Sequence, residues 1–162
     1  MPFTYIPSEK PRVVNIAKVL TKNKIQVVVE YDKDNEIIAW TDRNDRRISI
    51  NGNCSYVNQY ENYVIAHMIG HLSKHSNDFK DTITCFDPIK TYWVKNECQA
   101  HAFALSLLMP PREALRYGKL IASEFYERFS EKISKNVFLQ IMAESFKIPA
   151  NWIETRFRTF EL

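Results

Sequence analysis

Apolar positions along the chain change their period several times, and these changes lay out the expected elements. Between residues 8 and 22, Val13, Ile16, Ala17 and Leu20 recur at helical spacing behind a capping Ser8 and an early Pro11, which predicts a first helix over 8–22. Residues 25–31 are dense in β-branched side chains and read as a strand. Turn chemistry at 32–35 separates it from a second strand over 36–41, and a turn at 42–45 precedes a third over 47–50, with Ile48 and Ile50 on one side. Strands joined this way predict an antiparallel meander. Beyond the break at Asn51, Gly52 and Asn53, helical period returns over 57–74 through Ile65, Met68, Ile69 and Leu72. Residues 76–95 are polar and aperiodic. They read as a long loop of the kind that often carries function, with at most a short element around Tyr92 and Trp93. A helix over 95–109 stops at Pro110 and Pro111, and the rest is mostly helical with breaks near Ser130 and at Ile148 and Pro149. One helix, three strands and then mainly helices make an α+β chain.

Composition adds exclusions. The chain has 162 residues, enough for one domain with its own core, and its apolar content of 45% is ordinary for a globular protein. Twenty-two basic against 19 acidic side chains leave +3, mixed along the chain, which gives no electrostatic case for nucleic acid. The last helical segment carries Arg156 and Arg158 without a basic stripe, and Trp152, Ile153 and Phe157 suit packing better than DNA contact. Three cysteines, Cys54, Cys85 and Cys98, are odd in number and form no closely spaced pair, which points to a reducing compartment without disulfides. No secretory pattern opens the chain and no apolar run suits a membrane span, so a cytoplasmic protein is expected.

Four histidines occur: His67, His71, His75 and His101. His67 and His71 are four apart, which on a helix puts both imidazoles on one face, one turn apart, as a tetrahedral zinc ion would require. Histidines at this spacing also occur as ordinary surface residues, and spacing alone favours that plainer reading. Gly70 shifts the balance. A glycine within a helix costs about 1 kcal/mol relative to alanine, and close approach of another backbone is a common reason for one. In the next helix Glu97 and His101 share a face, with the small Ala100 and Ala104 on or beside it, so two closely crossing helices would bring a carboxylate to the histidines. A solvated Glu97 on a plainly packed helix fits the sequence too. Cys98 points about 100° away from Glu97 and reads as a small core residue.

The segment His67-Met68-Ile69-Gly70-His71, with His75 after it, resembles the His-Glu-Leu-Gly-His core of the ImmA/IrrE family of zinc metallopeptidases. Glu97-Cys98-Gln99-Ala100-His101-Ala102-Phe103-Ala104, running to Leu107-Leu108-Met109-Pro110, resembles the family's second motif, Glu-x-x-Ala-Asn-x-Phe-Ala leading to Leu-Leu-Met-Pro. The strand Ile48-Ser49-Ile50-Asn51 and the tail over 141–156 are similar to the family's pre-motif strand and closing helix-turn-helix-like segment. The resemblance covers roughly residues 45–160. It implies a zincin-like fold, with a three-stranded antiparallel sheet packed on the zinc-site helices and a helical C-terminal part. It implies a metallopeptidase domain over 1–116 and a helical segment over 117–162 packed on it. It also implies Zn2+ held by His67, His71 and Glu97; His75, two turns from His67, reads equally as an outer partner of the site or as a plain surface residue. The activity implied is hydrolysis of a peptide bond, by zinc-bound water, in an intracellular protein such as a helix-turn-helix repressor of a phage or mobile element.

Two departures change that expectation. Met68 stands where the family carries the glutamate that moves the proton, and a thioether cannot do so. His101 replaces the family's asparagine. It is therefore a candidate substitute base, or a candidate fourth ligand that would close the site into a structural one. Helix geometry puts Met68 about 100° from His67 and about 60° from His71, beside the ligand face. The expected protein is thus a zinc-binding domain with impaired or absent peptidase activity. The alternative is a pseudoprotease that serves as a protein-binding module.

Overall fold

The computed structural model describes residues 5–34, 37–42, 44–74, 82–86 and 95–158. In chain order the elements are α1 (Ile16–Asn23), β1 (Gln26–Glu30), β2 (Ile37–Asp42), β3 (Arg47–Asn51), α2 (Ser55–Lys74), β4 (Thr82–Phe86), α3 (Lys95–Leu108), α4 (Pro111–Phe129), α5 (Lys135–Phe146) and α6 (Ala150–Arg158). The chain is α+β, as its pattern predicts. No helix among the described residues is long and apolar enough to cross a membrane.

The sheet differs from the expected three-stranded antiparallel meander. It has four strands in the order β1-β3-β2-β4. β1 and β3 run parallel in register from Gln26 opposite Arg47 to Glu30 opposite Asn51, whereas β2 is antiparallel to both β3 and β4. β3 thus lies between β1 and β2, and the connection from β1 to β2 must span it. Asn51 makes that connection possible. Its buried amide donates to the carbonyls of Asp34 (3.0 Å) and Ile37 (2.9 Å), and its oxygen accepts from the amides of Asp32 (3.2 Å) and Asn53 (3.0 Å). One side chain therefore organises both the loop between β1 and β2 and the turn into α2, and its own polar atoms are satisfied. β4 falls inside the segment expected to be a loop. Its Thr-Ile-Thr-Cys-Phe sequence has strand propensity, but its pairing with β2 is a long-range fact that local period cannot show.

The first helix is shorter than predicted. It starts at Ile16 behind an Asn15 cap whose side chain accepts from the Lys18 amide. Upstream, the backbone amides of Ser8 and Arg12 donate to the carboxylates of Glu124 (3.0 Å) and Glu113 (2.8 Å) on α4. These tertiary acceptors replace the carbonyls a helix would have supplied.

By contact, the chain forms two compact units. One comprises residues 14–107 and the other residues up to 13 together with 108 onward. The N-terminal segment thus joins the C-terminal helices in the second unit. In the first unit α2 packs on β2 and β3. Its core includes Ile38, Ala39, Ile48, Ile50, Tyr63 and Ile69. In the second, α5 packs on α4 and α6, and Trp152 and Ile153 are buried. The breaks predicted near Ser130 and Pro149 are present: Ser130 caps α4 in the left-handed region, and α6 starts just after Pro149.

Candidate metal centre

α2 bends at Tyr60, whose φ of −129° and ψ of 35° interrupt the helix, and continues through Lys74. On the continuing part, Tyr63, His67 and His71 form a row with four-residue spacing, so their side chains stack along one face. α3 supplies the opposing row, with Glu97 in its first turn and His101 one turn later. Gly70 explains how the rows meet. A methyl on it would lie 2.9 Å from Ala100 Cα and 3.1 Å from the Ala100 carbonyl oxygen, closer than side chains tolerate. The close backbone approach expected from the sequence is therefore present. Ala100 and Ala104 are fully buried and leave room for it.

The approach brings three donors together. His67 Nε2 lies 3.0 Å from Glu97 Oε2, His71 Nε2 lies 3.1 Å from Glu97 Oε1, and the two imidazole nitrogens are 3.0 Å apart. His67, His71 and Glu97 are all buried, and Glu97 is the only buried carboxylate among the described residues. Burial pushes the Glu97 carboxyl up. The hydrogen bonds and positive charge of His67 and His71 outweigh that and hold it well below the usual carboxylate range. Its place at the start of α3 also favours the anion, because the helix amides point towards it. An anionic oxygen and two imidazole nitrogens within 4.8 Å of one another form a group that can hold a metal ion. No family model matches the chain, and no curated protein matches it.

His101 does not join the donor group. Its ring packs on that of His67 with centroids 4.2 Å apart, and its Nδ1 is 2.7 Å from the hydroxyl of Tyr63. Tyr63 is a residue that the sequence argument missed. It is fully buried and lies nearly parallel to the His101 ring. The available signal was its position four residues before His67, one turn further along the same face. Met68 is also fully buried, so position 68 offers a thioether inside the core. Glu61, six residues before His67, is exposed. Cys54 and Cys98 are not joined in a disulfide. His75, Tyr92 and Trp93 lie outside the described residues, as do the side-chain surroundings of Cys85.

Proposed function

We propose that this chain is a zinc-binding domain of the zincin-like, ImmA/IrrE-like kind whose peptidase chemistry is disabled at Met68, and that it works by holding a protein partner. The observation that carries the reading is the convergence of His67, His71 and Glu97 beside a fully buried methionine. The donor set fits zinc. Two imidazoles and a carboxylate match its ligand preferences, and ligands about 2.1 Å from a tetrahedral ion stand about 3.4 Å apart. The observed spacings of 3.0 to 3.1 Å need only a slight outward shift. Absence of His101 from the group supports three protein ligands rather than four, and so an open rather than a closed coordination shell.

Bound there, zinc supplies Lewis acidity and makes a water molecule nucleophilic near neutral pH. The chain's own residues do the rest of any reaction, and here they fall short. Glu97 is committed to the metal, and Met68 can neither take a proton nor return one to a leaving amine. Loss of a general base costs about 10²- to 10⁴-fold in rate. What remains is a metal-braced pair of helices suited to retaining a partner, which the resemblance suggests is a repressor-like intracellular protein.

Two measurements test the reading. Elemental analysis of purified protein should give one zinc per chain and almost none for Glu97→Gln. Iron in its place, or no metal at all, removes the zinc proposal, because two histidines and a carboxylate also serve iron oxygenases. Met68→Glu, checked for folding by circular dichroism, should gain cleavage of a candidate repressor that the parent protein leaves intact. Equal cleavage by both proteins removes the disabled-peptidase proposal and leaves the zinc site standing.

A further inference from the structure

The C-terminal helices carry a feature the metal reading does not use. α4, α5 and α6 line a groove of about 470 Å³. Its floor is apolar, built from Leu115, Phe138, Leu139 and Phe157 around Gly118. Phe138 and Phe157 meet edge to face at 5.4 Å, and a methyl on Gly118 would lie 3.1 Å from the Phe138 ring. The glycine thus lets an aromatic ring lie directly on the α4 backbone. Phe138 and Phe157 remain only half-buried.

The rim has a definite sign. Among the described residues it carries Lys119, Lys135 and Arg158 against one carboxylate, Glu154. Glu154 accepts from Lys135 Nζ at 2.7 Å and from Arg158 Nη2 at 2.8 Å, so it is already shared by two cations. Among the described lining residues, three positive groups and one negative leave +2. Lys119, exposed and adjacent to Gly118, makes no ion pair among the described residues. An apolar floor alone does not choose an occupant, but this rim does. A cationic or neutral guest would leave the excess charge uncompensated, whereas an anionic head would complete it. The volume and mainly apolar lining match a small-molecule site. Lysine and arginine stems can also bend along the apolar tail of a guest while their charged ends reach its head group.

We propose that this groove binds a small anionic amphiphile, a carboxylate on an apolar chain of about ten to twelve carbons. The proposal does not depend on the metal site. Its test uses the full chain with metal as purified, titrated with dodecanoate below its micelle concentration and separately with dodecylammonium. Calorimetry should show one saturable dodecanoate site with Kd on the order of 0.1 mM, and at least tenfold weaker binding of dodecylammonium. Amide chemical shifts should move in α4, α5 and α6. Lys119→Glu should weaken dodecanoate about fivefold. Ala122→Trp, at an exposed position lining the groove, should abolish binding with an unchanged melting temperature. The proposal is overturned by equal binding of the two head groups, by absence of a saturable site, or by dodecanoate affinity that either substitution leaves unchanged.

Discussion

Gly70 and Gly118 both sit inside helices where alanine would be the better helix former, yet the two should respond differently to it. At Gly70 the added methyl meets the backbone of Ala100, which cannot move without shifting α3. Gly70→Ala should therefore cost about 1–3 kcal/mol by overpacking, read as a lowered denaturant midpoint. It should also weaken metal binding, because separating the helices separates Glu97 from the histidines. At Gly118 the methyl meets the far end of the Phe138 side chain, which can swing aside. Gly118→Ala should then be near neutral, its gain in helix propensity of up to about 1 kcal/mol offset by repacking. Equal destabilisation by the two substitutions would contradict this account. The three candidate donors themselves were legible because they obey helical spacing, with His67 to His71 on one helix and Glu97 at the start of the next. Tyr63 was harder to see, since its role depends on a hydrogen bond to His101 across two helices.

Elements show where local pattern stops being informative. Helices α2 and α3 lie close to their predicted spans, and α4 and α5 end near the predicted breaks, because apolar period and proline or polar breaks act locally. Sheet order was not legible: β1 beside β3 depends on Asn51 gathering four backbone partners, and no period encodes that. Residues 8–15 read as helix but form no regular element, because α4 offers them carboxylates. Glu124 accepts from the backbone of Ser8 at 3.0 Å, from the Ser8 hydroxyl, and from the Tyr5 hydroxyl at 2.8 Å. Hydrogen bonds from the Ser8 hydroxyl and amide hold its carboxyl below the usual range, against slight burial and with help from Tyr5. A carboxylate depressed on folding contributes stability above its unfolded pKa of about 4.3, and that contribution is lost as pH falls through the lower folded value. Amide protection at Ser8 and Arg12 should accordingly collapse in acid while that of α5 persists, and Glu124→Gln should reproduce the loss at Ser8 at neutral pH. A second element-level outcome concerns helix ends. Lys147 caps α5 at φ 55° and ψ 45°, a conformation that favours glycine. Lys147→Gly should raise stability by about 1 kcal/mol, seen as a higher melting temperature.

At the scale of the molecule, the placement of the donor set matters more than its chemistry. His67, His71 and Glu97 all belong to the unit of residues 14–107, and the connection between α2 and α3 passes through β4. A metal ion held by this group would therefore close a loop of about thirty residues within that unit. Ligand binding stabilises only the states that bind, by about 2.7 kcal/mol when free ligand stands at 100 times Kd. Opening events that separate α2 from α3 must break the site and should carry that cost, whereas openings confined to α5 and α6 should not. Hydrogen exchange measured with metal and after chelation should then show protection lost across α2, β4 and α3, while α5 and α6 stay unchanged. Loss spread evenly over all helices would mean that the ion braces the whole chain. Unchanged exchange in α2 and α3 would mean that the histidine and carboxylate donors hold together equally well without it. In that case the buried hydrogen bonds of Glu97 to the two imidazoles, and not a cation, would be what joins the helices.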